Sequence, residues 1–374
     1  MTFRMENKNM DTQKNISTRT MSLDIIRGVA LLGVLIVHAA GFSGANNYSI
    51  HSLDYYLSII NHLLFEFKFV AIFSFLFGVG SQMFFSNAQQ RGLRSYQLFS
   101  RRLISLLPIG IISMIIAPQV TPILVMYSLL GFILVPFFKL KPRIILLITG
   151  ILASSNMVLM IGTMVSINLL TNGTDSALII TVFMHFLYYI LLIVSMFLLG
   201  LYVGKINLFQ QLSQRMSIIK RVHKNSFFLS LPFVFGGVWT GYTNPEISQN
   251  IFFLGISDLA SYPLLIFYLS SMLMLYNLNY LVYVYKPLSY VGRMSLTSYV
   301  GHLLLLKLLI LLLGWTDGYT LVQSLVLDFI VFTILIIFSF SWIQKFQQGP
   351  LEKIWRFFTY GKYAPKAKQL QRGH

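Results

Sequence analysis

The chain reads as all-α, a polytopic membrane helix bundle with both termini on the cytoplasmic side, and three observations lead there. First, 56% of its 374 residues are hydrophobic and only 10% are charged, with a mean hydropathy of +0.72, a composition that no water-soluble domain of this size shows. Second, the apolar runs cut the chain into about ten segments, each near the ~20 residues that a hydrocarbon core requires. Third, all but two of the 28 lysines and arginines fall at the same alternate ends of those segments. Only Lys68 and Lys307 lie inside apolar runs. That partition is the positive-inside bias expected of an even number of spans.

The elements follow in order. A first span is expected over residues Leu23 to Phe42 and a second over Leu53 to Phe85, joined by an external loop with Gly44, Asn46, Asn47 and His51. A third, Leu103 to Ala117, and a fourth, Ile123 to Phe138, meet at a tight turn set by Pro118 and Pro122, since proline lacks the amide donor and restricts the residue before it. The fifth covers Ile144 to Leu169 and the sixth Ala177 to Val203, with an external Asn172-Gly173-Thr174 turn between them. Gly204 to Asn225, with five basic residues, reads either as a surface-lying amphipathic stretch or as a plain connector. Spans seven to ten are Phe227 to Thr240, Ile251 to Tyr285, Leu288 to Leu313 and Leu321 to Ile343. The eighth exceeds a straight crossing and contains Pro263, so a kink or a break is expected there.

This gives three regions: a polar cytoplasmic tail (1–22), a transmembrane helical domain (23–344) and a basic cytoplasmic tail (345–374). The formal charge of +17 is scattered over short loops, where it sets topology and meets anionic lipid on the cytoplasmic side, which argues against nucleic-acid binding. With no cysteine there is no disulfide, thiolate nucleophile or thiolate metal site. The polar start has no leader-like core, so the first span reads as an uncleaved helix. No metal-ligand spacing occurs. Gly78 and Gly80 lack the companions of a phosphate loop and read instead as points where helices approach closely.

Ionisable groups inside apolar spans carry the functional signal, because each costs several kcal/mol in lipid unless it faces water or a partner. Asp24 and Arg27 share a helix face and can pair. His38 lies eleven residues beyond Arg27, roughly 16 Å along the axis, and neutral imidazole is a usable base. His62 and Glu66 are four apart on one face, with Lys68 turned well away from Glu66. His185, Asp258, Arg293, His302, Lys307 and Asp328 complete the set. For most of them packing with a satisfied hydrogen bond competes with a catalytic or binding role.

The stretches Ser22-Leu23-Asp24-Ile25-Ile26-Arg27-Gly28-Val29-Ala30-Leu31-Leu32-Gly33 and Phe75-Leu76-Phe77-Gly78-Val79-Gly80 resemble the opening of the YeiB-like family of bacterial membrane proteins. Gly292-Arg293-Met294-Ser295-Leu296-Thr297-Ser298-Tyr299, then Gly349-Pro350-Leu351-Glu352-Lys353-Ile354-Trp355-Arg356 and Thr359-Tyr360-Gly361, are similar to its later signatures. That family in turn looks distantly related to transmembrane acyltransferases, the acyltransferase-three group and the heparan glucosaminide acetyltransferases. Those share a first helix beginning Leu-Asp-x-x-Arg-Gly, with a histidine about eleven residues after the arginine. His38 stands where YeiB-like relatives usually have asparagine, and His302 where the acyltransferases often end a helix with histidine. An aspartate often found before the fourth helix is absent, with Thr121-Pro122 in its place.

The resemblance implies a bacterial plasma-membrane protein, multi-pass, that moves an acyl or acetyl group from a cytoplasmic CoA thioester to a hydroxyl or amine of an envelope molecule. No bound cofactor is implied, acyl-CoA being a substrate. His38 is then the base or covalent carrier, with Glu66 or Asp258 orienting it, while Asp24, Arg27, Arg293 and His302 bind the donor. The alternative is a transporter or lipid-handling protein using the same groups as a proton or substrate path. Under the enzymatic reading, His38, Arg27 and polar groups of the second, eighth or ninth span border one cavity open to the cytoplasm.

Overall fold

The structure, a computed structural model, describes residues 2–44, 49, 51–170, 175–243, 251–278 and 282–361, and most of them are helical, without a strand among them. The expected loop residues Asn46, Asn47 and Asn172-Gly173-Thr174, and the basic tail beyond Gly361, lie outside the described residues. In chain order the helices are α1 (Thr2–Phe42), α2 (Leu53–Ile60), α3 (Lys68–Gln90), α4 (Ser95–Ile116) and α5 (Ile123–Leu130). They continue with α6 (Pro142–Leu170), α7 (Asp175–Lys205), α8 (Met216–Thr243), α9 (Ile251–Leu259) and α10 (Ser261–Leu278). The last are α11 (Val282–Arg293), α12 (Ser295–Leu313), α13 (Leu321–Lys345) and α14 (Pro350–Tyr360).

Among the described residues, eight helical stretches are long and apolar enough to cross a bilayer: 21–42, 53–90, 95–116, 142–165, 183–205, 252–277, 295–313 and 321–345. Two further segments expected as spans are helical but are not among these eight. Residues Ile123–Lys139 are short, but from Gly131 they wind as a 3-10 helix. At ~1.5 Å per residue for the α part and ~2.0 Å for the 3-10 part, the segment reaches about 30 Å, the thickness of a hydrocarbon core. The other is α8, whose charged and serine-rich first half lowers its mean hydropathy. Its start at Met216 shortens the expected long basic loop to a compact connector, with a 3-10 turn at Leu208–Gln210.

Three expected helices are interrupted. The second breaks into α2, a π-helical turn at Asn61–Phe65 and α3, with Phe67 at φ +62°, a backbone region that suits glycine and strains a bulky side chain. The eighth breaks after Leu259, four residues before Pro263, the carbonyl that a proline at that position cannot bond. The ninth turns at Met294 between α11 and α12.

Glycines set two very close crossings. A Cβ on Gly78 or Gly200 would lie within 2.1 Å of a backbone oxygen of the facing helix, so α3 and α7 touch backbone to backbone, as the Gly78 pattern predicts. Gly28 against the Leu288 carbonyl and Gly292 against the Asp24 carbonyl do the same for α1 and α11. The two ends of the bundle are chemically distinct. At one, Lys205 Nζ donates to the Phe138 and Leu140 carbonyls, Lys139 lies over Tyr96, and Arg101 donates to the Phe358 carbonyl. We call this the basic end. At the other, Tyr319 donates to the Ala39 carbonyl, the Val322 amide donates to Asp54, and Lys307 donates to the Ile116 carbonyl.

Candidate functional site

Two cavities enter the bundle from its two ends. Toward the basic end, a cavity of about 220 Å³ is lined by Arg27, Arg102 and Arg293, by aromatic side chains including Tyr127 and Tyr299, and by Glu352 and Trp355 of α14. Arg27 is paired with Asp24 at 3.1 Å, the interaction expected from their spacing. Arg102 is clamped between Phe84 and Trp355, its guanidinium carbon 4.8 and 4.7 Å from the two ring centres. Its Nε is buried without a hydrogen-bond partner. This leaves the cavity with two arginines, Arg102 and Arg293, that have no carboxylate within ion-pair distance among the described residues. Such a lining suits phosphate oxygens.

Helix α14 forms the floor of this cavity and is locked in place by reciprocal capping. Glu352 accepts from the Leu296 and Thr297 amides at 2.7 and 3.1 Å and from the Thr297 hydroxyl at 2.5 Å. These are the orphan donors of the first turn of α12, and a carboxylate there is favoured by the helix dipole. In return Thr297 Oγ1 accepts from the Leu351 amide at the start of α14. The Trp355 indole donates to the Arg102 carbonyl.

From the other end, a cavity of about 250 Å³ is lined by His38, Ser58, Asn61, His62, Glu66 and the Gln119–Thr121 turn, among others. Asn61, His62 and Glu66 come from the π-helical turn at Asn61–Phe65 and its C-terminal cap. His62 Nδ1 is hydrogen-bonded to Glu66.

His38 stands in the wall of that cavity. It is 3% exposed, and its Nδ1 lies 2.9 Å from Nε2 of the fully enclosed His302. His302 Nδ1 is 3.3 Å from the Ser298 carbonyl, an acceptor only, so that nitrogen carries the proton. Nε2 of His302 is then an acceptor, His38 Nδ1 donates to it, and His38 Nε2 keeps its lone pair. Tyr299, which lines the basic-end cavity, packs edge-on against both rings, at 6.0 and 5.2 Å. Ile123 lines both cavities. The histidine pair and Tyr299 therefore form the partition between the two spaces.

The single cavity anticipated from the sequence is in fact two. Arg27 and Arg293 share the basic-end cavity, His38 and Glu66 share the other, and His302 stands behind His38 rather than among the arginines. Neither carboxylate orients His38. Glu66 is bonded to His62, while Asp258, 2% exposed, lies 3.7 Å from His185 Nδ1. Lys68 is not turned away from this region, since the break after Phe65 rotates it inward. Sequence reasoning missed Arg102, Tyr299, Asn61 and Trp355. The adjacent Arg101 and Arg102 look alike as topology signals, and only helix register sends one to the surface and the other inward.

The chain is similar to uncharacterised bacterial proteins along most of its length. The family described as "Protein of unknown function (DUF418)" matches residues 203–362, a stretch that includes α11, α12 and α14. An "Uncharacterized 39.9 kDa protein in amylase 3'region" of Bacillus acidopullulyticus is 29% identical over 365 residues, 94% of this chain and 96% of the relative. The "Uncharacterized protein YxaH" of Bacillus subtilis (strain 168) is 25% identical over 401 residues, 93% of this chain and 96% of the relative. No solved structure matches the chain.

Proposed function

We propose that the chain is a multi-pass acyltransferase of a bacterial plasma membrane, with the basic end and both termini cytoplasmic. The donor is an acyl-CoA thioester whose phosphates are held by Arg27, Arg102 and Arg293. The acceptor is a hydroxyl or amine of an envelope molecule that enters the opposite cavity. In the reaction, His38 Nε2 takes the proton of the acceptor group as its oxygen or nitrogen attacks the thioester carbonyl. The carbon–sulfur bond breaks, the thiolate leaves into the arginine-lined cavity, and the proton carried by His38 passes to the sulfur, so that thiol is released and the imidazole is neutral again. His302 holds the imidazole in the tautomer that frees Nε2, the role of a base-orienting partner.

The observation that carries this reading is the His38–His302 pair at the wall between an arginine-lined space and a polar space reached from the other end. A proton path alone has no use for three arginines and two cavities. The transport reading is favoured instead by the buried Lys68 and Asp258 beside two helix breaks, with the half-exposed His185 3.7 Å from Asp258. The two readings separate on one experiment. Purified protein in lipid is incubated with radiolabelled acetyl-CoA and a crude envelope extract, comparing wild type with His38→Ala and His302→Ala. Label transfer that is lost in His38→Ala and lowered in His302→Ala supports acyl transfer, and equal transfer in all three ends it.

A further inference from the structure

Lys68 is fully enclosed, at 0% exposure, and its ammonium does not lie in an ion pair within 4 Å among the described residues. Its Nζ donates instead to the His62 carbonyl at 2.8 Å, the Ser257 carbonyl at 2.9 Å and the Ser257 hydroxyl at 3.0 Å. Both carbonyls belong to interrupted helices: His62 sits in the π-helical turn before the Phe67 break, and Ser257 in the last turns of α9 before the break at Ala260. The Ser257 hydroxyl also donates to the His62 carbonyl, so the two breaks are tied to each other. Beside this cluster the Asp258 carboxylate has one buried oxygen without a hydrogen-bond partner, and Glu66 stands across the break.

Carbonyl oxygens at helix interruptions, a hydroxyl and neighbouring carboxylates resemble the donor set with which membrane proteins hold small unhydrated cations. We propose that this is a monovalent-cation site whose occupant is supplied by the chain itself: the Lys68 ammonium takes the place that potassium or a primary ammonium ion takes when the side chain is truncated. The tethered charge docks the Asn61–Phe65 turn onto α9. That docking fixes where His62 and Glu66 stand in the cavity they line. Lys68 is a positioning residue, and the inference stands apart from the acyl-transfer reading, since its test reads ion binding and stability.

The test is thermal unfolding of the purified protein in lipid nanodiscs at equal ionic strength in choline, potassium, ammonium or propylammonium chloride. Lys68→Ala is expected to unfold several degrees below wild type in choline. Its midpoint should rise saturably with potassium or propylammonium, while wild type stays unmoved. Adding Ser257→Ala to Lys68→Ala should shift half-saturation several-fold higher, because one oxygen ligand is gone. Lys68→Met fills the volume without the charge and should be less stable than wild type and indifferent to all four salts. The proposal is overturned by a Lys68→Ala midpoint that is the same in choline as in the other salts. It is also overturned by a Lys68→Met protein as stable as wild type, which can be read even where Lys68→Ala does not fold.

Discussion

Replacing Gly292 by alanine tests how the arginine-lined cavity is built. The new methyl carbon would stand 1.7 Å from the Asp24 carbonyl oxygen and 2.9 Å from the Gly28 amide nitrogen, where ordinary contact begins at 3.4 Å. The obstacle is backbone on a long helix, so no side-chain rotation relieves it, and α1 and α11 must part by about 1.5 Å. Overpacking of this kind costs ~1–3 kcal/mol. The displaced segment carries Asp24 and Arg27 on one helix and Arg293 on the other. The spacing of two of the three cavity arginines therefore opens with it. Gly150 on α6 provides the control: a Cβ there meets nothing within 4 Å, and alanine in a helix interior is favoured over glycine by roughly 0.8–1.0 kcal/mol. Thermal unfolding in one detergent, alongside binding of a labelled CoA thioester, reads both effects. Gly292→Ala should unfold at lower temperature and bind the thioester more weakly, while Gly150→Ala loses neither. Equal stability and equal binding for Gly292→Ala and wild type would refute the argument from the close crossing.

Three further outcomes are expected. Tyr319→Phe removes the hydroxyl that caps the Ala39 carbonyl at 2.5 Å, and should cost ~0.5–1.5 kcal/mol by chemical denaturation without affecting thioester binding. Glu352→Ala leaves two α12 amides without their acceptor and should cost ~1–3 kcal/mol, with protease sensitivity rising first near Gly349. Arg102→Leu keeps some of the packing between Phe84 and Trp355 but loses the charge. Its thioester affinity should fall about tenfold or more, on the scale of ~1.5–3 kcal/mol for a charge-assisted contact, with a shallower salt dependence.

The bundle was legible because lipid imposes a simple rule on composition. Long apolar runs, basic loops and the proline turn at Pro118 and Pro122 each have a local cause, and so does the close approach at Gly78. The break at Leu259 was legible for the same reason, since Pro263 marks it. The break at Phe67 was not: Asn61 to Lys68 contains neither glycine nor proline. The π-helical turn there is sustained by contacts with Ser257, nearly two hundred residues away. His38 and His302 were each singled out, yet their pairing across 264 residues depends on how α12 lies against α1 after the turn at Met294. Helix register also decided that the carboxylates singled out as partners of His38 belong to His62 and His185 instead. The two-cavity arrangement is a property of packing, with Tyr299 and Ile123 filling what the sequence left as a single space.

The most direct test of the account asks whether two water-filled spaces approach the histidine pair from opposite sides of the membrane. The chain has no cysteine, so single cysteines can be placed at Asn61, in the polar cavity, and at Ser295, in the arginine-lined one. Each is labelled with a membrane-impermeant maleimide in intact cells and in inverted vesicles. Asn61→Cys should label from outside the cell only and Ser295→Cys only in inverted vesicles. Labelling of both from the same side would contradict the placement of donor and acceptor on which the proposed chemistry depends.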